Sequence, residues 1–332
     1  MSVSNLRLVL ACVALTYCPL NDARAQAMFR GSADHLGVYE SAAPTLRTVL
    51  WKFAVAGRIV SSPVVVGEAV YFGSSDGSLY AVGRADGSAL EVHDGQRGPR
   101  VSGRIRRCRL HRQLGSQHVR TGRRHGQELW RFQTGEDTTI HNQVGIAGSA
   151  AVARGVVYFG CRDGHFYAVD ARTGAQRWSH DNKMGWVIAS PAIKDGVVYF
   201  PTSDGTRFKA LNAETGALKY DLETKAISFS SPAIADNVIY FGSSDGWMHA
   251  LDLATGAVKA EFQSDGSKAN SATYLDEKGH FNSEAMYPDF TLDGMIIGVH
   301  NMFTLGSFLS SPVVANGILY VGSTDGSLYA LK

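Results

Sequence analysis

The chain has 332 residues, 45% of them hydrophobic and 19% charged, with 36 Gly and a formal charge of +2. That composition excludes a disordered, collagen-like or membrane-spanning protein. Four Cys in a chain of this length cannot supply a disulfide framework.

Residues 1–27 read as a secretory leader. Arg7 opens the segment, an apolar run extends from Leu8 to Leu20, and Ala23, Ala25 and Ala27 close it. A membrane anchor needs about 20 apolar residues in a row, and Tyr17, Pro19 and Asn21 interrupt this run. Cleavage after Ala25 or Ala27 is expected, leaving Cys108 and Cys161. Val9-Leu10-Ala11-Cys12 faintly resembles a lipoprotein cleavage box, but too few apolar residues precede it, so a lipid anchor is the minor reading. A periplasmic or secreted protein is expected, with one domain over 28–332.

One phrase then recurs. Ser62-Pro63, Ser190-Pro191, Ser231-Pro232 and Ser311-Pro312 each precede a β-branched and aromatic run such as Val70-Tyr71-Phe72-Gly73, and a weaker copy starting at Ser149 lacks the Pro. Asp-Gly pairs follow at Asp76, Asp163, Asp204, Asp245 and Asp325, so the period is about 40 residues with two copies hidden. Ser-Asp-Gly between two such runs supplies residues that tolerate positive φ in a tight hairpin. A second turn ends in Gly174 or Gly256, and an aromatic stands four residues beyond Gly126, Gly174 and Gly216, at Trp130, Trp178 and Tyr220. Trp51, Trp130 and Trp178, with the five Asp, are read as structural residues of the repeat. Four short strands per unit describe an all-β fold, a β-propeller of four-stranded blades. Division of the mature length gives seven blades, within a range of six to eight, and closure must use the segment before Trp51.

Two stretches break the pattern. Residues 90–125 hold ten Arg, and no acid lies between Asp94 and Glu128. Alone this would read as a patch for nucleic acid or anionic lipid, yet no aromatic residue lies within it to stack on bases. Codons permitted for 90–126, read one nucleotide later, can restore a Trp-Lys-Phe opening, a Ser-Pro and a Tyr-Ala-Leu-Asp-Ala-Ala-Thr-Gly ending. A blade displaced by paired compensating frameshifts is therefore expected here. The second stretch, 261–304, keeps a normal composition and reads as a degenerate blade or an inserted excursion that carries binding. A smaller insertion near 136–145 brings His141 and Asn142 onto one loop.

The combined motifs resemble the pyrroloquinoline-quinone (PQQ) propeller repeat over residues 50–332. That resemblance raises a quinone-dependent dehydrogenase with PQQ and calcium as an alternative, but this chain has no adjacent Cys pair, and the family's acidic and calcium ligands do not map onto it. It is closer to the family's non-enzymatic branch, exported propellers that assist outer-membrane protein assembly. Catalytic, cofactor and metal residues are thus assigned to none. The Gly-x-Ser-x-Gly pattern at 73–77 and 242–246 lies in strand-to-strand turns rather than the strand-to-helix elbow a nucleophile needs. His165, His249 and His280 are scattered over different units, so no metal spacing emerges. Trp186 and Trp247 depart from the repeat and, with His141 and Asn142, are the candidates for a binding face.

The expected function is an exported scaffold for a protein or peptide partner in the cell envelope, with no nucleic acid and no transmembrane segment. A ligand-sensing propeller is the third reading. Without the leader and the ten Arg, 20 basic residues face 29 acidic ones, so a basic partner surface is expected.

Overall fold

The computed structural model describes residues 29–32, 34–94, 110–112, 117–121, 128–135, 145–183, 185–289 and 291–332. Its strands form six sheets, numbered I to VI here. Sheet I lies within 64–94, II within 110–133, III within 151–181, IV within 192–223 and V within 233–263. Sheet VI takes three strands from 313–331 and its outermost strand, β2 (Val49–Ala54), from the other end of the chain. Two short strands within the Arg-rich stretch, 110–112 and 117–121, pair with 128–133 just beyond it. The ring is thus closed by β2 pairing antiparallel with 327–331, Val49 opposite Leu331. This is the closure expected from the N-terminal segment, with Trp51 itself inside the closing strand.

The repeated residues explain how neighbouring sheets lock together. The amide of Ser149 donates to Ser190 Oγ at 2.9 Å, Ser190 to Ser231 at 3.0 Å, Ser231 to Ser311 at 3.0 Å, and Ser311 to Ser62 at 3.0 Å. A buried amide without a partner costs about 1–3 kcal/mol. The hydroxyl of each Ser-Pro therefore satisfies the preceding sheet, and the last step crosses the closure.

At the outer rim, the indoles of Trp51, Trp130 and Trp178 donate to the carbonyls of Arg84, Ala171 and Ala213 in the next sheet's second turn, at 3.0–3.1 Å. Gly174 and Gly216 in those turns have φ of 77° and 74°, and a Cβ on either would sit 2.8 Å from the Trp130 or Trp178 ring. The Thr-Gly and the Trp of the motif therefore belong to one joint. Between these layers Phe166 stacks on Phe200 at 4.2 Å, and Phe208 on Phe241 at 4.3 Å.

The axis is threaded by the chain's own start. The carbonyls of Asp34, Leu36 and Gly37 accept from Val152, Ile193 and Ile234, the innermost strands of sheets III, IV and V in turn. Strand β1 (Val38–Tyr39) then runs parallel to 233–235, and Ser41 Oγ accepts from Gly317 in sheet VI. Arg30 is 3% exposed and donates to the carbonyls of Pro191 and Pro232 at 2.7 and 3.0 Å. Its burial pulls the guanidinium down to about 10, opposed in part by Tyr39. Only Gly fits at 37, where φ is 68° and a Cβ would meet Arg30 at 2.2 Å.

Residues 265–304 form three helices: α1 (Asp265–Tyr274), α2 (Ser283–Met286) and α3 (Leu292–Thr304). Sheets V and VI are nonetheless direct neighbours, joined by the Ser231–Ser311 bond. The helices therefore stand outside the ring, over the end that carries the Ser-Asp-Gly turns.

Candidate functional site

In sheets I, III and VI the Asp-Gly turn is built the same way. One oxygen of Asp76, Asp163 or Asp325 accepts the amide two residues on, each at 2.9 Å. The other accepts the phenol of Tyr80, Tyr167 or Tyr329 at 2.8, 2.6 and 2.6 Å. The following Gly77, Gly164 and Gly326 have φ of 82–90°, a region open to Gly at little cost. In these three turns both carboxylate oxygens accept hydrogen bonds from the turn itself.

Sheets IV and V depart from this scheme. In sheet IV the turn is one residue longer, Asp204 is exposed, and buried Lys209 holds the tyrosine's place 3.8 Å from Asp221. In sheet V His249 replaces the Tyr, and a polar chain results. Ser243 Oγ donates to Asp245 and lies 3.0 Å from His249 Nε2, while His249 Nδ1 lies 2.8 Å from Glu261. Asp245 is 2% exposed, and burial pushes its carboxyl above the ordinary range. The hydrogen bond from His249 holds Glu261 below it. The arrangement resembles a nucleophile–base–acid relay, but Ser243 is 1% exposed. A buried hydroxyl cannot reach a substrate, so the chain orients Asp245 instead. Ser244, the central residue of the Gly-x-Ser-x-Gly pattern, donates to the Ile227 carbonyl.

The insertion covers this divergent turn. Ser264 caps α1 by accepting from Ser267, and Ser267 Oγ donates to the Asp245 carbonyl at 2.7 Å. The first amides of α1 reach sheet VI: Asp265 donates to Tyr329 Oη at 3.0 Å and Gly266 to Asp325 at 3.3 Å. A carboxylate at a helix N-terminus is favoured by the helix dipole. Helix α3 is held from below by Thr324 Oγ1 on the Phe303 carbonyl, and from the side by Asn301 on the Met286 carbonyl. Met286, Met302 and Leu305 form a separate small core.

Between the turn of sheet V, α1 and the loop after it lies an open cavity of about 480 Å³. Asp245, Trp247 and Gln263 line it from the sheet, and Leu275, Glu277 and Lys278 from the insertion. An aromatic face among fixed polar groups of both signs suits a polar ligand or a peptide side chain. Of the residues singled out from sequence, Trp247 and Asp245 come together here. Trp186 belongs to the loop entering sheet IV, under the Arg162 guanidinium at 5.7 Å. His141 and Asn142 lie outside the described residues. The sequence reading set His249 aside as a scattered histidine and took 261–304 as a degenerate blade or an excursion, without joining Ser243, His249 and Glu261 to one turn. The available signal was His249 itself, standing four residues after Asp245 where sheets I, III and VI have Tyr.

Sheets arranged around a threaded axis describe a β-propeller, and the Ser-Pro, Asp-Gly and Thr-Gly-x-x-x-Trp devices resemble the PQQ repeat. Within that group it resembles an outer-membrane assembly factor. The family model described as outer membrane protein assembly factor BamB matches residues 115–277. BamB of Yersinia pestis is 26% identical over 211 residues, 62% of this chain and 47% of that protein. The matched stretch thus spans about half the length of the curated relative. Among solved structures, the computationally designed Ika8 protein aligns over 84% of this chain and 98% of its own, with TM-score 0.50 and 15% identity. BamB from Moraxella catarrhalis aligns over 86% and 97%, with TM-score 0.39 and 14% identity. Among the described residues no helix is long and apolar enough to cross a membrane.

Proposed function

We propose that the chain is a binding scaffold of the cell envelope that serves outer-membrane protein assembly, exported by residues 1–27 and acting without catalysis. The observation that carries this reading is the match of residues 115–277 to the BamB description. The helix-bearing end supports it, because a rigid ring holds there a cavity lined by Trp247 and by groups of both charges, a feature by which protein surfaces recognise peptides. The outermost strands of sheets IV and V, 218–223 and 258–263, are edges to which an extended partner segment could add.

The quinone alternative fits the residues poorly. A planar cofactor on the axis would meet the segment 30–41, whose Arg30 is already spent on main-chain carbonyls. Among the described residues no three His, Cys, Asp or Glu side chains converge to hold a cation beside it.

Deletion of the gene is the test. Loss of folded outer-membrane β-barrels, restored by the wild-type chain but not by one lacking residues 1–27, is the expected result. Unchanged barrel levels overturn the proposal, and dye reduction by the purified protein with PQQ and calcium would replace it with a dehydrogenase.

A further inference from the structure

Helix α3 leaves Leu292 75%, Met295 53%, Ile296 59% and Val299 45% exposed. These positions, i, i+3, i+4 and i+7, form one stripe along a helix. Gly294, Gly298 and Met302, about a third of a turn further round the helix, are buried. At Gly298 a Cβ would come 2.1 Å from the Tyr287 ring, so the helix lies tight on its own loop and cannot roll to hide the apolar side. A contiguous apolar surface of this kind marks an interaction site.

The charges on one flank of the stripe say what meets it. Asp293 stands exposed at the start of the helix. Two turns later, on the same flank, His300 Nδ1 accepts from Arg58 Nη2 at 3.0 Å, and the Arg58 guanidinium lies over the Phe303 ring at 5.0 Å. The flank is thus negative at its beginning and positive at its end.

We propose that this stripe is a dimer interface with a second copy of the chain, the two α3 helices running antiparallel about a two-fold axis beside Ile296. Such an axis reverses the helix direction and keeps each flank on its own side. Asp293 of each copy then faces Arg58 and His300 of the other, twice over, while Leu292 packs on Val299. A parallel two-fold pair would put the two charged flanks on opposite sides and leave each Asp293 without a basic partner, and a lipid surface would leave the ordered charges unanswered.

A single helix pair lies at the small end of interface sizes, below about 1,200 Å². The expected behaviour is therefore weak, concentration-dependent dimerisation of the full chain, read by sedimentation equilibrium. Ile296→Asp is expected to give monomer with an unchanged melting temperature, since the side chain is already exposed. Asp293→Arg is expected to weaken the dimer at least about tenfold, and adding Arg58→Asp and His300→Asp to restore it. A monomer at every concentration up to about 1 mM, or a charge swap that fails to restore association, overturns the proposal. So does a persistent monomer that floats with phosphatidylcholine vesicles, which would assign the stripe to lipid.

Discussion

Sheets III and V share one backbone and use it differently. Both have the same strand order and the same register slip, after Ala168 in one and after Ala250 in the other. In sheet III the Tyr167 phenol closes on Asp163 at 2.6 Å and the turn is complete in itself. In sheet V the same position is His249, the turn carboxylate is buried behind Ser243, and an inserted helix supplies the cover. The repeat's geometry is thus kept by main-chain pairing, and the side chain opposite the turn is free to change where something new packs above it.

Mutations can separate these two solutions, beginning with the joints between sheets. Trp178 bridges sheets III and IV by an indole bond at 3.0 Å, whereas the joint from IV to V rests on the Tyr220 phenol, 3.4 Å from the Leu253 carbonyl. Trp178→Ala is expected to cost about 3–5 kcal/mol in urea unfolding, and Tyr220→Ala less. An equal or reversed order would mean that the divergent joint is as tight as the regular one.

Next in size is Tyr167→Phe, which strips the donor from Asp163 and should cost about 1–3 kcal/mol. Equivalent loss on His249→Ala would erase the distinction between the two turns.

A pH series reads the buried carboxyl directly. Because burial raises Asp245, the folded protein keeps a proton that the unfolded chain releases above about pH 3.9. That stabilisation is complete below this pH and is lost as pH rises through the raised value, by about 1.4 kcal/mol for each unit of the window. Asp245→Asn should remove the slope, matching the wild type in acid and exceeding it at neutral pH; parallel melting curves at all pH values would contradict the burial. The smallest effect belongs to His249→Tyr, which rebuilds the regular pair and should gain about 0.5–1.5 kcal/mol by calorimetry. A loss would show that α1 leaves no room for the phenol.

The repeat was readable because each of its marks performs a bond that recurs: Ser62 and its copies accept an amide, Trp51 and its copies reach a carbonyl, and Asp76 and its copies hold a turn. The stretch 261–304 was legible only as a degenerate blade or an inserted excursion, and its helices were not. Helix α1 reads Asp-Gly-Ser-Lys-Ala-Asn-Ser-Ala-Thr-Tyr, poor helix formers that are kept helical by the Ser264 cap and by bonds to Asp245 and Asp325 distant in sequence. In α3 Leu292, Met295, Ile296 and Val299 stand at helical spacing but face outward rather than into the core, and the reading of 261–304 as a degenerate blade or an excursion placed no helix there. Trp247 could be picked out as a departure from the repeat, but its cavity needs a wall from 275–278 that nothing local announces.

The pairing of Val49 with Leu331 has a consequence in time. Sheets I to V, β1 apart, lie between these two strands in sequence, so a very long loop must close before β2 joins sheet VI. Contacts of such sequence separation fold slowly, and until they form, the edges of 49–54 and 327–331 stay open to unwanted pairing. Loss of 327–331 would leave β2 without its partner and the ring open.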